Sequence, residues 1–252
     1  MKIKLFLLAA ILAALPHAAA SAPLRIAVAS NFATQLKSAV TAYQTQSNDR
    51  GEISISAGST GKLFAQIKQG APFDLFFAAD RLRPARLFNE GFTVGPSQTY
   101  ATGRLVLWHP KRRSSSALMS QLDATRRLAI ANPELAPYGR AAQQTLTHLN
   151  WEAKPNTMIA TAENVGQTYA MVMTGNADAG FVALSQVLEK QVPNATFTTI
   201  PENAHDPIRQ DVVLLNAGSQ PTRAAAFLAF FMRHQAKAQT LGSVPEIRTI
   251  DR

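Results

Sequence analysis

The chain reads as an α/β protein built on mixed, mostly parallel sheets, and three observations predict it. Short apolar strands alternate along the sequence with segments of helical periodicity, the pattern of a sheet covered by helices. The run Phe73-Asp74-Leu75-Phe76-Phe77-Ala78 is almost wholly apolar, as a strand covered on both faces must be. Several strands end in small or hydroxyl-bearing residues that open a helix, a junction where backbone N–H groups are left without intrahelical partners.

Leu24 to Ala29 is the first strand, ended by Ser30-Asn31; Phe32, Leu36, Val40 and Tyr43 then recur as the buried face of a helix. Ile53 to Ser56 alternates apolar and polar residues, so it is a strand. The turn Ala57-Gly58-Ser59-Thr60-Gly61 leads into a helix marked by Leu63, Phe64 and Ile67. The apolar strand at 73–78 precedes a helix over Arg81 to Glu90. Near Arg104 the character changes: Leu105 to Trp108 is a strand closed by His109-Pro110, and Lys111 to Ser116 is a polar loop. Leu128 to Ala131 is a strand ended by Asn132-Pro133, and Pro137, suited to a helix start, opens a helix through Leu149. A strand at Thr157–Ala160 feeds a helix opened by Glu163-Asn164-Val165. Ala179–Val182 and Phe197–Ile200 are strands on either side of a helix at Leu184–Lys190. Asp211–Leu215 is the last strand, and Thr222–Thr240 a long helix with Phe227, Phe230 and Phe231 as core.

Composition narrows the function. The 252 residues are 46% hydrophobic, enough for a normal core, and none is cysteine. That excludes a disulfide scaffold, a thiolate metal site, a cysteine nucleophile and a lipoprotein anchor. Lys2 and Lys4, the apolar run Leu5 to Leu15, Pro16 and Ala18-Ala19-Ala20 form a secretory signal peptide over residues 1–20. No other apolar stretch is long enough to span a membrane, so an exported, soluble mature protein is expected. The formal charge of +9 is scattered, its densest run being Lys111-Arg112-Arg113, with no aromatic-flanked basic stripe. Nucleic acid is therefore not an expected partner; the surface charge mildly attracts anions.

Four turns carry the candidate chemistry: Ser30-Asn31, Ser59-Thr60, Pro137-Tyr138-Gly139 and Asn164-Val165. Each alone is adequately explained as a helix cap. Together, at the carboxyl ends of strands, they offer hydroxyls, backbone N–H groups and helix dipoles to a shared anion. Gly58–Lys62 superficially resembles a phosphate loop, but Ser56 and Leu63 stand where that pattern needs glycine and a hydroxyl. His17, His109, His148, His205 and His234 are isolated, Asp80 and Glu163 are single carboxylates, and no nucleophile elbow appears, so catalysis has little support.

The turns and their surroundings also carry a resemblance. Ala27-Val28-Ala29-Ser30-Asn31-Phe32, Gly58-Ser59-Thr60-Gly61-Lys62-Leu63 with Gln66-Ile67, and Gly70-Ala71-Pro72-Phe73-Asp74-Leu75-Phe76 with Ala79-Asp80 come in order. Asn132-Pro133 with Pro137-Tyr138-Gly139, then Glu163-Asn164-Val165 and Gly180-Phe181-Val182, follow. In these the chain resembles the periplasmic molybdate-binding proteins of bacterial ABC importers, the ModA family, over essentially its mature length.

The resemblance implies a two-lobed, type II periplasmic binding-protein fold, with residues 22–103 and 209–252 in one lobe, 104–208 in the other, and two crossings as a hinge. It implies molybdate or tungstate as ligand, with no cofactor and with molybdenum held only as the oxyanion. Ser30 and Thr60 are the expected hydroxyl ligands, with Ser59 beside them, and Val165 gives a backbone N–H. Some members carry a ligand tyrosine where Ala183 stands; Tyr138 is expected to supply that hydroxyl as well as its N–H, and Asn31 an amide. A membrane permease is the implied partner, and a monomer the expected state. The rivals are another oxyanion, sulfate first, or an exported hydrolase.

Overall fold

The structure is a computed structural model that describes residues 22–112 and 117–240. The expected signal peptide and Arg113–Ser116 lie outside them. The elements run β1 (Leu24–Ala29), α1 (Ala33–Ser47), β2 (Ile53–Gly58), α2 (Thr60–Lys68), β3 (Leu75–Phe77), α3 (Leu82–Asn89), β4 (Gln98–Gly103) and β5 (Leu105–Trp108). They continue with α4 (Leu118–Asp123), β6 (Arg127–Ala131), α5 (Pro137–His148), β7 (Met158–Ala162), α6 (Val165–Met173), β8 (Ala179–Ala183), α7 (Leu184–Glu189), β9 (Phe197–Thr199), β10 (Ile208–Leu214) and α8 (Pro221–Thr240).

Two five-stranded sheets result, in the orders β2-β1-β3-β10-β4 and β7-β6-β8-β5-β9. In each, three consecutive strand–helix units pair in parallel, and one reversed strand pairs antiparallel with two neighbours. The reversed strands are β10 in the first sheet and β5 in the second. Each sheet is mixed and flanked by helices, and the two sheets are the cores of two lobes. The chain passes from the first sheet to the second between Gly103 and Leu105 and returns before Ile208.

The core follows the apolar periodicities. Phe32, Leu36, Val40 and Tyr43 pack with Phe77, Phe227 and Phe231 on one face of the first sheet, while Leu63, Ile67, Phe76 and Leu87 cover the other. Phe227, Phe230 and Phe231 are buried, as expected of the last helix. In the second lobe Leu105, Leu107, Leu128, Phe181 and Val187 form the core, with Trp108 stacked on Tyr169 at 4.7 Å.

Three differences from the sequence reading have local causes. β4 matches no expected element, because its sequence, Gln98-Thr-Tyr-Ala-Thr-Gly103, buries only Tyr100 and Gly103; its partner β10 makes it a strand. α4 is a short helix at 118–123, where no expectation was placed. β10 begins at Ile208 rather than Asp211: it lies between β3 and β4 and is covered on both faces, so the consecutive polar residues Gln210 and Asp211 are both buried and hide the strand from an apolar pattern.

Candidate functional site

The four turns singled out in the sequence meet. A small cavity of about 10 Å³ lies between the two sheets, and its wall includes Ser30 and Asn31, Ser59 and Thr60, Pro137 and Tyr138, and Asn164 and Val165. All six candidate residues, Ser30, Asn31, Ser59, Thr60, Tyr138 and Val165, are in that wall. The rest of it is Ala29, Gly58, Ala79 and Ala136, so no charged side chain lines the cavity. That is room for about one water.

Each turn is built locally. Ser59 is the N-cap of α2, its Oγ accepting from the Lys62 N–H at 3.3 Å. Asn164 caps α6 in the same way, accepting from the Gln167 N–H at 3.0 Å. Pro137 opens α5, which leaves the Tyr138 N–H in the first turn. Ser30–Phe32 is a single 3₁₀ turn between β1 and α1. Helical geometry leaves the first N–H groups of α2, α5 and α6 without intrahelical acceptors, and the dipoles of these helices put positive potential at the same place.

The hydroxyls are oriented by their neighbours. Ser30 Oγ accepts from the Gly166 N–H at 3.1 Å, and Thr60 Oγ1 from the Ala79 N–H at 3.1 Å. With Ser59, three hydroxyls therefore have a lone pair engaged by a backbone N–H, and each keeps its proton to donate. Ser59 and Thr60 are almost fully buried.

The cavity is shut from above by contacts between the two halves of the chain. The Gly61 N–H donates to the Leu135 carbonyl at 2.8 Å, Arg83 Nη2 to the Glu134 carbonyl at 2.8 Å, and Ser185 Oγ to the Asn31 carbonyl at 3.3 Å. Lys62 and Glu163 form an ion pair at 2.9 Å across the same line. The sequence offers Glu163 only as a single carboxylate and gives Lys62 no partner, since nothing local joins positions so far apart.

Tyr138 is buried, and its phenol lies at the back of the site, on the strands that connect the two sheets. A Cβ on Gly103 would fall 2.3 Å from its hydroxyl oxygen and 3.1 Å from Gln210 Nε2. Burial pushes the phenol well above its ordinary range, against the opposing effect of a hydrogen bond from the Gln210 amide, so the hydroxyl keeps its proton at neutral pH. Gln210 is the residue that sequence reasoning missed. It is buried, and its Oε1 accepts from Asn31 Nδ2 at 2.8 Å and from the Tyr100 hydroxyl at 3.2 Å. The adjacent polar pair Gln210-Asp211 just before Val212-Val213 was the available signal.

Comparison with known proteins agrees with this architecture. The model of the bacterial extracellular solute-binding protein family matches residues 24–240. The molybdate-binding protein ModA of Azotobacter vinelandii is 36% identical over 217 residues, 84% of this chain and 85% of the relative. The chain belongs to the ModA family of bacterial extracellular solute-binding proteins. Another ModA, from Rhodobacter capsulatus, is 35% identical over 221 residues, 86% of each chain. The solved periplasmic molybdate-binding protein of Azotobacter vinelandii superposes with a TM-score of 0.76 at 34% identity, covering 82% of this chain and 92% of that one. The two mixed sheets, their crossing strands and the cleft between them are thus the ModA fold. Among the described residues no group of three or more His, Asp or Glu side chains is placed to hold a metal ion, and no helix is long and apolar enough to cross a membrane.

Proposed function

We propose that this chain captures molybdate, and its chemical twin tungstate, in the cavity between its lobes and delivers it to the membrane permease of an ABC importer. The observation that carries the reading is the wall itself: three hydroxyls whose lone pairs are taken by backbone N–H groups, and no charged side chain. The hydroxyls of such a wall offer protons and carry no charge. A tetrahedral dianion, which has many lone pairs and no proton at neutral pH, fits it. Phosphate carries protons at that pH and finds fewer acceptors.

The proposed donors are the hydroxyls of Ser30, Ser59 and Thr60, the backbone N–H groups of Tyr138 and Val165, and the side-chain amide of Asn31, with the Tyr138 phenol completing the rear wall. Molybdenum enters only as the oxyanion; the chain needs no cofactor and performs no catalysis. The lobes are residues 22–103 with 209–252, and 104–208, and the contacts of Gly61, Lys62 and Arg83 with the second lobe hold the closed state. Periplasmic location, reached through a signal peptide over 1–20, and a monomeric state complete the reading.

Calorimetry against molybdate, tungstate, sulfate and phosphate tests it. One site per chain for molybdate and tungstate, with sulfate much weaker and phosphate silent, is the expected result. Sulfate has the same charge and shape but is smaller, so equal sulfate affinity would assign the site to oxyanions without size selection.

A further inference from the structure

Behind the cavity wall lies a closed polar network. Gln210, on the reversed strand β10, bonds two side chains, Asn31 from the first turn of the chain and Tyr100 from β4, and its Nε2 borders the same space at Gly103 as the Tyr138 hydroxyl from the second lobe. Tyr100 also donates to the Ala78 carbonyl at 3.2 Å. One atom of the network has no partner. Asn31 is 3% exposed, and its Oδ1 is buried without a hydrogen bond, a costly condition for an amide oxygen. The amide is planar, so with Nδ2 committed to Gln210 the Oδ1 faces away from it, and Asn31 lines the cavity. An acceptor there opposes a dianion.

Amide oxygen and nitrogen are nearly isosteric, and their orientation follows from the network. Reversing Asn31 and Gln210 together removes the defect. Gln210 Nε2 then donates to Asn31 Oδ1 and to the Tyr100 oxygen, Tyr100 keeps its bond to Ala78, and Gln210 Oε1 accepts the Tyr138 proton. Asn31 Nδ2 is left as a donor for the ligand. In the other orientation the Gln210 amide donates toward the phenol, and the Tyr138 proton is the free one.

We propose that Gln210 is a positioning residue that decides which of Asn31 and Tyr138 presents a proton to the bound oxyanion. The inference rests on the oxyanion reading above. With a dianion bound, the reversed arrangement leaves every buried polar atom of the network partnered, and Asn31 is the donor. When Asn31 is removed, Gln210 turns back and Tyr138 takes its place. The two side chains are thus alternatives linked through a third that does not touch the ligand.

A double-mutant cycle in molybdate affinity tests this, with circular dichroism checking the fold of each variant. Wild type, Asn31→Ala, Tyr138→Phe and the double variant are titrated with molybdate, then the same four with Gln210→Met. In the Gln210 background the double variant is expected to lose at least fivefold more affinity than the product of the two single losses, because each single variant keeps one donor. In the Gln210→Met background the losses should simply multiply. Multiplicative losses in both backgrounds overturn the inference and leave the oxyanion reading standing; no molybdate binding by wild type overturns both. Should a Gln210→Met variant not fold, nitrogen-15 spectra of the wild type decide. Added molybdate should move the side-chain amide signals of both Asn31 and Gln210; movement of the Val165 backbone amide with a still Gln210 signal overturns the proposal.

Discussion

The hydroxyl of Tyr138 occupies the space that a side chain at Gly103 would need: a Cβ there would sit 2.3 Å from the phenol oxygen and 2.9 Å from the ring carbon that bears it. Gly103 is the last residue of β4, where the chain leaves the first sheet, and Tyr138 lies in the first turn of α5 in the second lobe. The glycine is required here by packing. Its absence of a side chain lets a residue of one lobe rest on the crossing strand of the other. Gly103→Ala should therefore cost about 1–3 kcal/mol of stability, the usual cost of overpacking, read as a lower thermal midpoint. Adding Tyr138→Phe removes the atom in closest conflict and should restore part of that loss. Absence of any recovery would mean that the strain is relieved elsewhere.

Gly61 holds the front of the cleft as Gly103 holds the back. Its N–H bonds to the Leu135 carbonyl, and a Cβ on it would lie 2.9 Å from the same oxygen. Gly61→Ala should oppose closure without touching the cavity wall. A penalty of about 1–3 kcal/mol on the closed state lowers molybdate affinity by roughly fivefold to a hundredfold, and solution scattering should show a more open molecule with ligand present. Unchanged scattering and affinity would show that Leu135 yields.

Ser30 and Thr60 are the hydroxyls whose lone pairs are taken by Gly166 and Ala79. Replacing either with Ala deletes a donor to a buried dianion, a charge-assisted bond worth about 1.5–3 kcal/mol, so affinity should fall about tenfold to a hundredfold. Ser30→Ala also removes an acceptor that joins the lobes and should be the more damaging of the two. If both variants bind molybdate like wild type, the ligand sits elsewhere.

The last prediction concerns acid stability. Arg223 of α8 grips Asp49 with two bonds of 2.7 and 2.8 Å and also donates to the Gly51 and Glu52 carbonyls. This clamps the last helix to the turn before β2. The Arg223 hydrogen bond holds the Asp49 carboxyl below its ordinary 3.8. A lowered folded-state value means that the bond stabilises fully above about pH 3.8 and is lost as pH falls through the lowered value. Asp49→Asn should thus lower the thermal midpoint at neutral pH, and the gap to wild type should narrow below pH 3.8. A gap that stays constant with pH would place the effect in packing rather than charge.

Much of the molecule is determined by its sequence alone. Strands such as Leu24–Ala29 and helices such as Thr60–Lys68 follow from local periodicity, because a side chain every two or every 3.6 residues must face the same core. The four polar turns are equally local, since a helix start needs a cap wherever it occurs. That they face one another is a property of the tertiary structure. The Asn31–Gln210 bond spans 179 positions, and the space that Gly103 leaves for Tyr138 is made by two different lobes. The only local mark of Gln210 is its place in a polar pair before Val212-Val213; its burial comes from lying on β10 between β3 and β4, the latter a strand too polar to be read without its partner. Residue type and spacing supply the donors; only the pairing of distant strands decides which way those donors turn.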